Sequence, residues 1–117
     1  MAKARQGGAP VYHYAVNYNS PLPGLPELPC AWHTADLPLQ LRIVLHPQSE
    51  ALSRRMAAAV AAFARTGDPS TPGLAWPAFD ERQRLTMVFD DDCRVESDPW
   101  QPQRAALEAA GQRFFLG

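Results

Sequence analysis

A chain of 117 residues, 46% hydrophobic and 20% charged, is long enough for one domain with an apolar core, too short for two, and not of disordered composition. Its formal net charge of −1, with Arg54-Arg55 as the one adjacent basic pair, gives no general attraction to nucleic acid or to an anionic membrane. No apolar run approaches the roughly 18–20 residues that span a bilayer, and residues 1–8 lack the apolar stretch of a signal peptide, so the chain reads as soluble with its compartment open.

Ala2-Lys3-Ala4-Arg5-Gln6 reads as the last turn of a helix, and Gly7-Gly8-Ala9-Pro10 separates it from the next element. Val11 to Tyr18 is a run of β-branched and aromatic residues of strand length. Its period of two puts Tyr12, Tyr14, Val16 and Tyr18 on one face and Val11, His13, Ala15 and Asn17 on the other; both faces are mostly apolar, which predicts a strand inside a sheet. Between Asn19 and Ala31 stand Pro21, Pro23, Pro26 and Pro29, each without a backbone donor and each restricting its predecessor, so this stretch is a stiffened loop.

The clearest helix runs from about Glu50 to Arg65. Ser49 is placed to cap it, and Leu52, Met56, Val60 and Phe63 form its core stripe. Gly67 suits a left-handed cap, and Pro69 forbids continuation. After a Pro/Gly-rich link, Leu85 to Phe89 alternates as a short strand, Asp90-Asp91-Asp92 turns, and Cys93 to Glu96 returns as a second strand. Asp98-Pro99 opens a last helix, to about Ala110, with Leu107 and Phe114 as apolar anchors.

His33, in Cys30-Ala-Trp-His-Thr-Ala-Asp-Leu-Pro38, closes the proline-rich loop. A loop after a buried strand is where α/β sheets carry functional groups, beyond the carboxyl ends of the strands. On the residues alone His33 is either such a group or a half-buried imidazole bonded to backbone. His13, His33 and His46 with Asp36 match no metal-ligand framework; His13 reads as an in-sheet histidine and His46 as a surface residue before a helix. The acidic triplet lacks the glycine and spaced oxygens of a calcium loop. Cys30 and Cys93 are two buried or free thiols, or a single bridge. No Gly-x-Ser-x-Gly elbow flanks Ser20, Ser49, Ser53, Ser70 or Ser97, and no dinucleotide or phosphate loop occurs, so no cofactor is expected.

Four segments in fixed order, Gly8-Ala-Pro-Val-Tyr-His-Tyr14, Trp32-His-Thr-Ala-Asp-Leu-Pro38, Phe63-Ala-Arg-Thr-Gly-Asp-Pro69, and Trp76-Pro-Ala-Phe79 followed by Thr86-Met-Val-Phe89, cover nearly the whole chain. Together they resemble the C-terminal stretch of the type B carboxylesterases, a family that includes cholinesterase-like enzymes and para-nitrobenzyl esterases. The resemblance implies an α/β chain, the C-terminal part of an α/β-hydrolase fold over residues 1–117, incomplete as an isolated domain. It makes His33 the catalytic base and leaves the serine nucleophile, the acid and the oxyanion loop upstream of what this chain contains. Asp36 is then a loop-shaping residue that bonds backbone or caps a short helix, not the triad acid.

Thr34 stands where the family commonly has glycine, Val60 where tryptophan is usual, and Leu39-Gln40-Leu41 is less aromatic than typical, departures that suggest a divergent bacterial member. The expected function is that of a fragment of a serine carboxylester hydrolase, inactive alone, acting in the complete enzyme on a small carboxylic ester. The alternatives are a stand-alone binding or oligomerisation module and one half of a split esterase. A core strand without its sheet neighbours also predicts a homo-oligomer through exposed core surface.

Overall fold

The computed structural model describes residues 6–19, 21–22, 24 and 31–111. Among these, the order is β1 (Tyr14–Val16), α1 (Asp36–Gln40), a 3-10 turn (Pro47–Ser49), α2 (Glu50–Thr66), β2 (Leu85–Phe89), β3 (Arg94–Ser97) and α3 (Gln101–Ala109). The strands form one sheet in the order β1-β2-β3. β1 and β2 are parallel, which requires a long crossover, and α1 and α2 lie in it. β2 and β3 are antiparallel and joined by the acidic turn.

β2 falls on the residues that alternation marks, and Thr86 to Phe89 are all buried, as suits the central strand of the three. β1 is shorter than the expected Val11–Tyr18. Backbone pairing nonetheless continues past its ends: the Met87 N–H donates to His13 O and the Asn17 N–H to Phe89 O, both at 2.9 Å. The regular strand is short because, among the described residues, it pairs with β2 alone and lies at the sheet edge rather than in its interior. Because His13 O and Asn17 N both face β2, the alternation of a parallel ladder turns the backbone groups of Tyr14 and Val16 toward the open edge.

α2 lays Leu52, Met56 and Ala59 against Met87 and Phe89, with Tyr18, Leu39, Leu74 and Trp76 completing the core. The expected stripe is corrected at its far end. Val60 is 44% and Phe63 49% exposed, because the buried face from Leu52 runs on through Ala59 to Ala62 instead. Ser49 does not cap α2: its backbone is helical, since the 3-10 turn runs into the helix, and its buried hydroxyl lies 3.4 Å from that of Tyr18. The expected stop is present. Gly67 has φ 79° and its N–H donates to Phe63 O at 2.8 Å, closing the last turn in a conformation that costs an L-residue about 1 kcal/mol or more.

α3 begins at Gln101 rather than at Asp98, because Asp98 has φ 47° and cannot be helical. Its carboxylate instead receives the Arg104 guanidinium at 2.6 Å. α3 buries no residue; Leu107 is exposed, and Phe114 lies outside the described residues. So do Cys30, most of the expected N-terminal helix end and much of the proline-rich loop. Cys93 is a free, part-buried thiol. Among the described residues no helix is long and apolar enough to cross a membrane.

Candidate functional site

His33 is presented on a tight turn. The Ala35 N–H donates to Trp32 O at 3.0 Å, which makes His33 and Thr34 the two central residues of a four-residue turn. Thr34 has φ 65° while His33 keeps an ordinary negative φ, the signature of a type II turn, whose third position favours glycine. Glycine is the residue that the family resemblance sets at the position of Thr34, and the turn shows why it would suit. A β-branched residue is strained there, and the Thr34 hydroxyl partly offsets this by donating to His33 O at 2.6 Å. The His33 side chain is exposed, and among the described residues no side chain hydrogen-bonds its ring.

The turn leads without a break into α1: the Leu37 N–H donates to Thr34 O at 3.1 Å, and Asp36 occupies the first helical turn. Two anchors hold α1. On its inner side Leu39 is buried and its carbonyl accepts the buried Ser53 hydroxyl of α2 at 2.9 Å. On its outer side the Tyr14 hydroxyl donates to Asp36 Oδ2 at 2.9 Å, and Gln40 Nε2 donates to both Tyr14 Oη and Asp36 Oδ2 at 2.9 Å. The expectation that Asp36 bonds backbone or caps the helix is thereby corrected. Ala35 holds the cap position, and the Asp36 carboxylate reaches across to β1. Burial raises the Tyr14 pKa first, and the hydrogen bond to the Asp36 carboxylate adds to it. A raised folded-state value means that the phenol contributes its stability below its unfolded pKa of about 10 and loses it as pH rises through the folded value.

Beside the turn, along the open edge of β1, lies a cavity of about 380 Å³ lined by residues including Tyr14, Val16, Trp32, Thr34 and Asp36. The edge of β1, open among the described residues, and the Asp36 carboxylate border it, so it suits a polar, extended neighbour better than an apolar ligand. A second groove of about 430 Å³, lined by residues including Tyr12, Val60, Phe63 and Trp76, is largely aromatic and aliphatic.

The other histidines are engaged elsewhere. His13 Nδ1 lies 3.0 Å from Thr86 Oγ1, which is also within 3.1 Å of Arg84 O. Burial lowers the pKa of His13 and favours its neutral form. His46 accepts the Gln48 N–H at the start of the 3-10 turn. Among the described residues no group of three or more His, Cys, Asp or Glu side chains is gathered as a metal site. Four of the five serines have their hydroxyls committed within the fold: Ser49 to Tyr18, Ser53 to Leu39 O, Ser70 to Trp76 O and Ser97 to Gln83 O; Ser20 lies outside the described residues. Sequence reasoning missed Tyr14 and Gln40. The i, i+4 spacing of Asp36 and Gln40 could have revealed the latter, whereas nothing local joins Tyr14 to Asp36, 22 positions away.

The model of the carboxylesterase family matches residues 1–106. The para-nitrobenzyl esterase of Bacillus subtilis (strain 168) is 29% identical over an alignment covering 91% of this chain and 23% of the relative. Among solved structures, a PNB esterase superposes with a TM-score of 0.74 at 29% identity, over 85% of this chain and 22% of the other. A carboxylesterase of Geobacillus stearothermophilus gives 0.73 at 33% identity, over 90% of this chain and 23% of the other. An esterase from Clostridium hathewayi, described as hydrolysing aliphatic aromatic polyesters, gives 0.68 at 32% identity, over 81% of this chain and 20% of the other. This chain thus spans between 20 and 23% of the length of these relatives.

Proposed function

This chain belongs to the carboxylesterase family and forms a small α/β part of the α/β-hydrolase fold of its structural neighbours, and from that premise we propose that it is the C-terminal segment of a serine carboxylester hydrolase, with His33 as the general base. The observation that carries the reading is the exposed imidazole on a turn anchored to both β1 and α2. In the complete enzyme, His33 takes the proton of a serine hydroxyl as the oxygen attacks the ester carbonyl, then returns it to the departing alcohol. A carboxylate orients the ring and backbone N–H groups hold the oxyanion. The serine, the carboxylate and the oxyanion donors come from sequence beyond this chain, which agrees with its share of the relatives' length and with the committed serine hydroxyls. Asp36, whose carboxylate is turned toward Tyr14, keeps a shaping role.

The 117-residue chain alone is expected to show no turnover of a short-chain para-nitrophenyl ester above buffer, and no labelling by a fluorophosphonate probe. Turnover that disappears in His33→Ala would place a nucleophile inside this chain and overturn the reading.

Exposed core surface favours a second reading, in which copies of the isolated chain associate. Val60 and Phe63 face the apolar groove, and the edge of β1 is open among the described residues. Sedimentation at micromolar concentration is expected to show species larger than one chain, and a compact monomer is the contrary result.

A further inference from the structure

We propose that Tyr14 is a positioning residue for His33, acting through Asp36 and Gln40 to hold the turn that presents the imidazole. This inference rests on the general-base reading of His33 for its use in catalysis, but its structural claim can be tested without any ester. The geometry is that of a closed three-membered hydrogen-bond ring. Tyr14 donates to Asp36, and Gln40 Nε2 donates to both Tyr14 Oη and the same Asp36 oxygen, all at 2.9 Å. Each of the three side chains touches the other two, so the group links β1 to both ends of α1.

The ring matters because of what lies on each side. Tyr14 belongs to β1, which is registered against β2, and its aromatic ring stands edge-on to Trp76 and Phe89 at 6.0 and 5.9 Å. The hydroxyl is therefore a fixed point referred to the core. Asp36 follows His33 by three residues, with the Ala35 and Leu37 amides bonded back across the turn to Trp32 and Thr34. Thr34 is strained in that turn, so the native conformation depends on outside contacts to outweigh the alternatives. The Ser53 contact holds α1 at Leu39, the end away from His33, while at the near end Ala35 is buried. The Tyr14 ring of hydrogen bonds ties that near end to the strand.

The test is carried out on the 117-residue chain by carbon–proton correlation of the histidine rings and by amide exchange. Tyr14→Phe keeps the ring and removes the hydroxyl. The expected result is that the His33 ring signal moves to the averaged position of a mobile histidine, while the Ala35 and Leu37 amides exchange about tenfold faster or more, the loss of roughly one hydrogen bond. The His13 ring and Trp76 indole signals stay in place. Asp36→Asn, which keeps an acceptor oxygen for Tyr14, restores part of the protection relative to Asp36→Ala. Unchanged His33 signals and exchange in Tyr14→Phe would overturn the proposal. If Tyr14→Phe also disturbs His13 and Trp76, the decision passes to Gln40→Leu, which leaves β1 intact: a His33 response with a quiet core supports the proposal, and no response overturns it. Because no substrate is present, failure here is distinct from failure of the general-base reading, which ester turnover alone decides.

Discussion

Phe89→Ala is expected to lower the unfolding free energy by about 3–5 kcal/mol, the range for deleting a buried aromatic ring. Phe89 is 1% exposed and belongs to the core cluster that joins β2 to α2. Its ring centroid is 5.4 Å from that of Trp76, its backbone pairs with Val16, and Met56 and Ala59 of α2 belong to the same cluster. Removing the ring opens a cavity that neighbours on three elements cannot fill together, since the sheet register fixes two of them. A domain of this size has a total stability of about 5–15 kcal/mol, so the loss is a large fraction of it. By contrast Val95→Ala, on the exposed face of β3, is expected to stay within about 0.5 kcal/mol. Urea unfolding followed by circular dichroism measures both, and a cost below about 1 kcal/mol for Phe89→Ala would mean that α2 does not pack on the sheet as described.

What could be read without the structure was what local chemistry decides. β2 is legible because Leu85 to Phe89 alternates between turn-forming residues, and the end of α2 because Gly67 and Pro69 each leave one conformation open. The strangeness of Thr34 could be seen only against the family pattern; its physical meaning, a positive φ at the third position of a turn, needed coordinates. The extent of β1 could not be read, because strand length depends on what pairs with it and not on the aromatic run itself. Nor could the exposure of Val60 and Phe63, since helical periodicity marks an apolar stripe without saying where the partner sheet ends. The failure at Ser49 is of another kind. A serine before a helix has two uses for its hydroxyl, and burial beside Tyr18 selected the tertiary one.

The candidate site divides in the same way. Composition and spacing made His33 one histidine among three, and the family resemblance singled it out. The structure adds that the other two are engaged, His13 with Thr86 and His46 with its own 3-10 turn, while the ring of His33 is exposed. It also relocates Asp36 from a backbone cap to a contact with β1, through a tyrosine that no local pattern connects to it.

The second large effect concerns His33 itself. Glutamine has a similar reach and can hydrogen-bond, but it cannot accept the proton of a serine hydroxyl at neutral pH, so His33→Gln would remove the proposed base and little else. The most direct measurement exchanges the matching segment of the Bacillus subtilis para-nitrobenzyl esterase for this chain, so that the relative supplies the rest of the enzyme. Ester turnover is then compared with histidine or glutamine at position 33, with folding checked by circular dichroism. Turnover is expected with His33, and a fall in kcat of about 10³-fold or more in His33→Gln with KM little changed. A folded His33→Gln chimera that keeps its kcat within about tenfold of the parent would contradict the assignment of the general base.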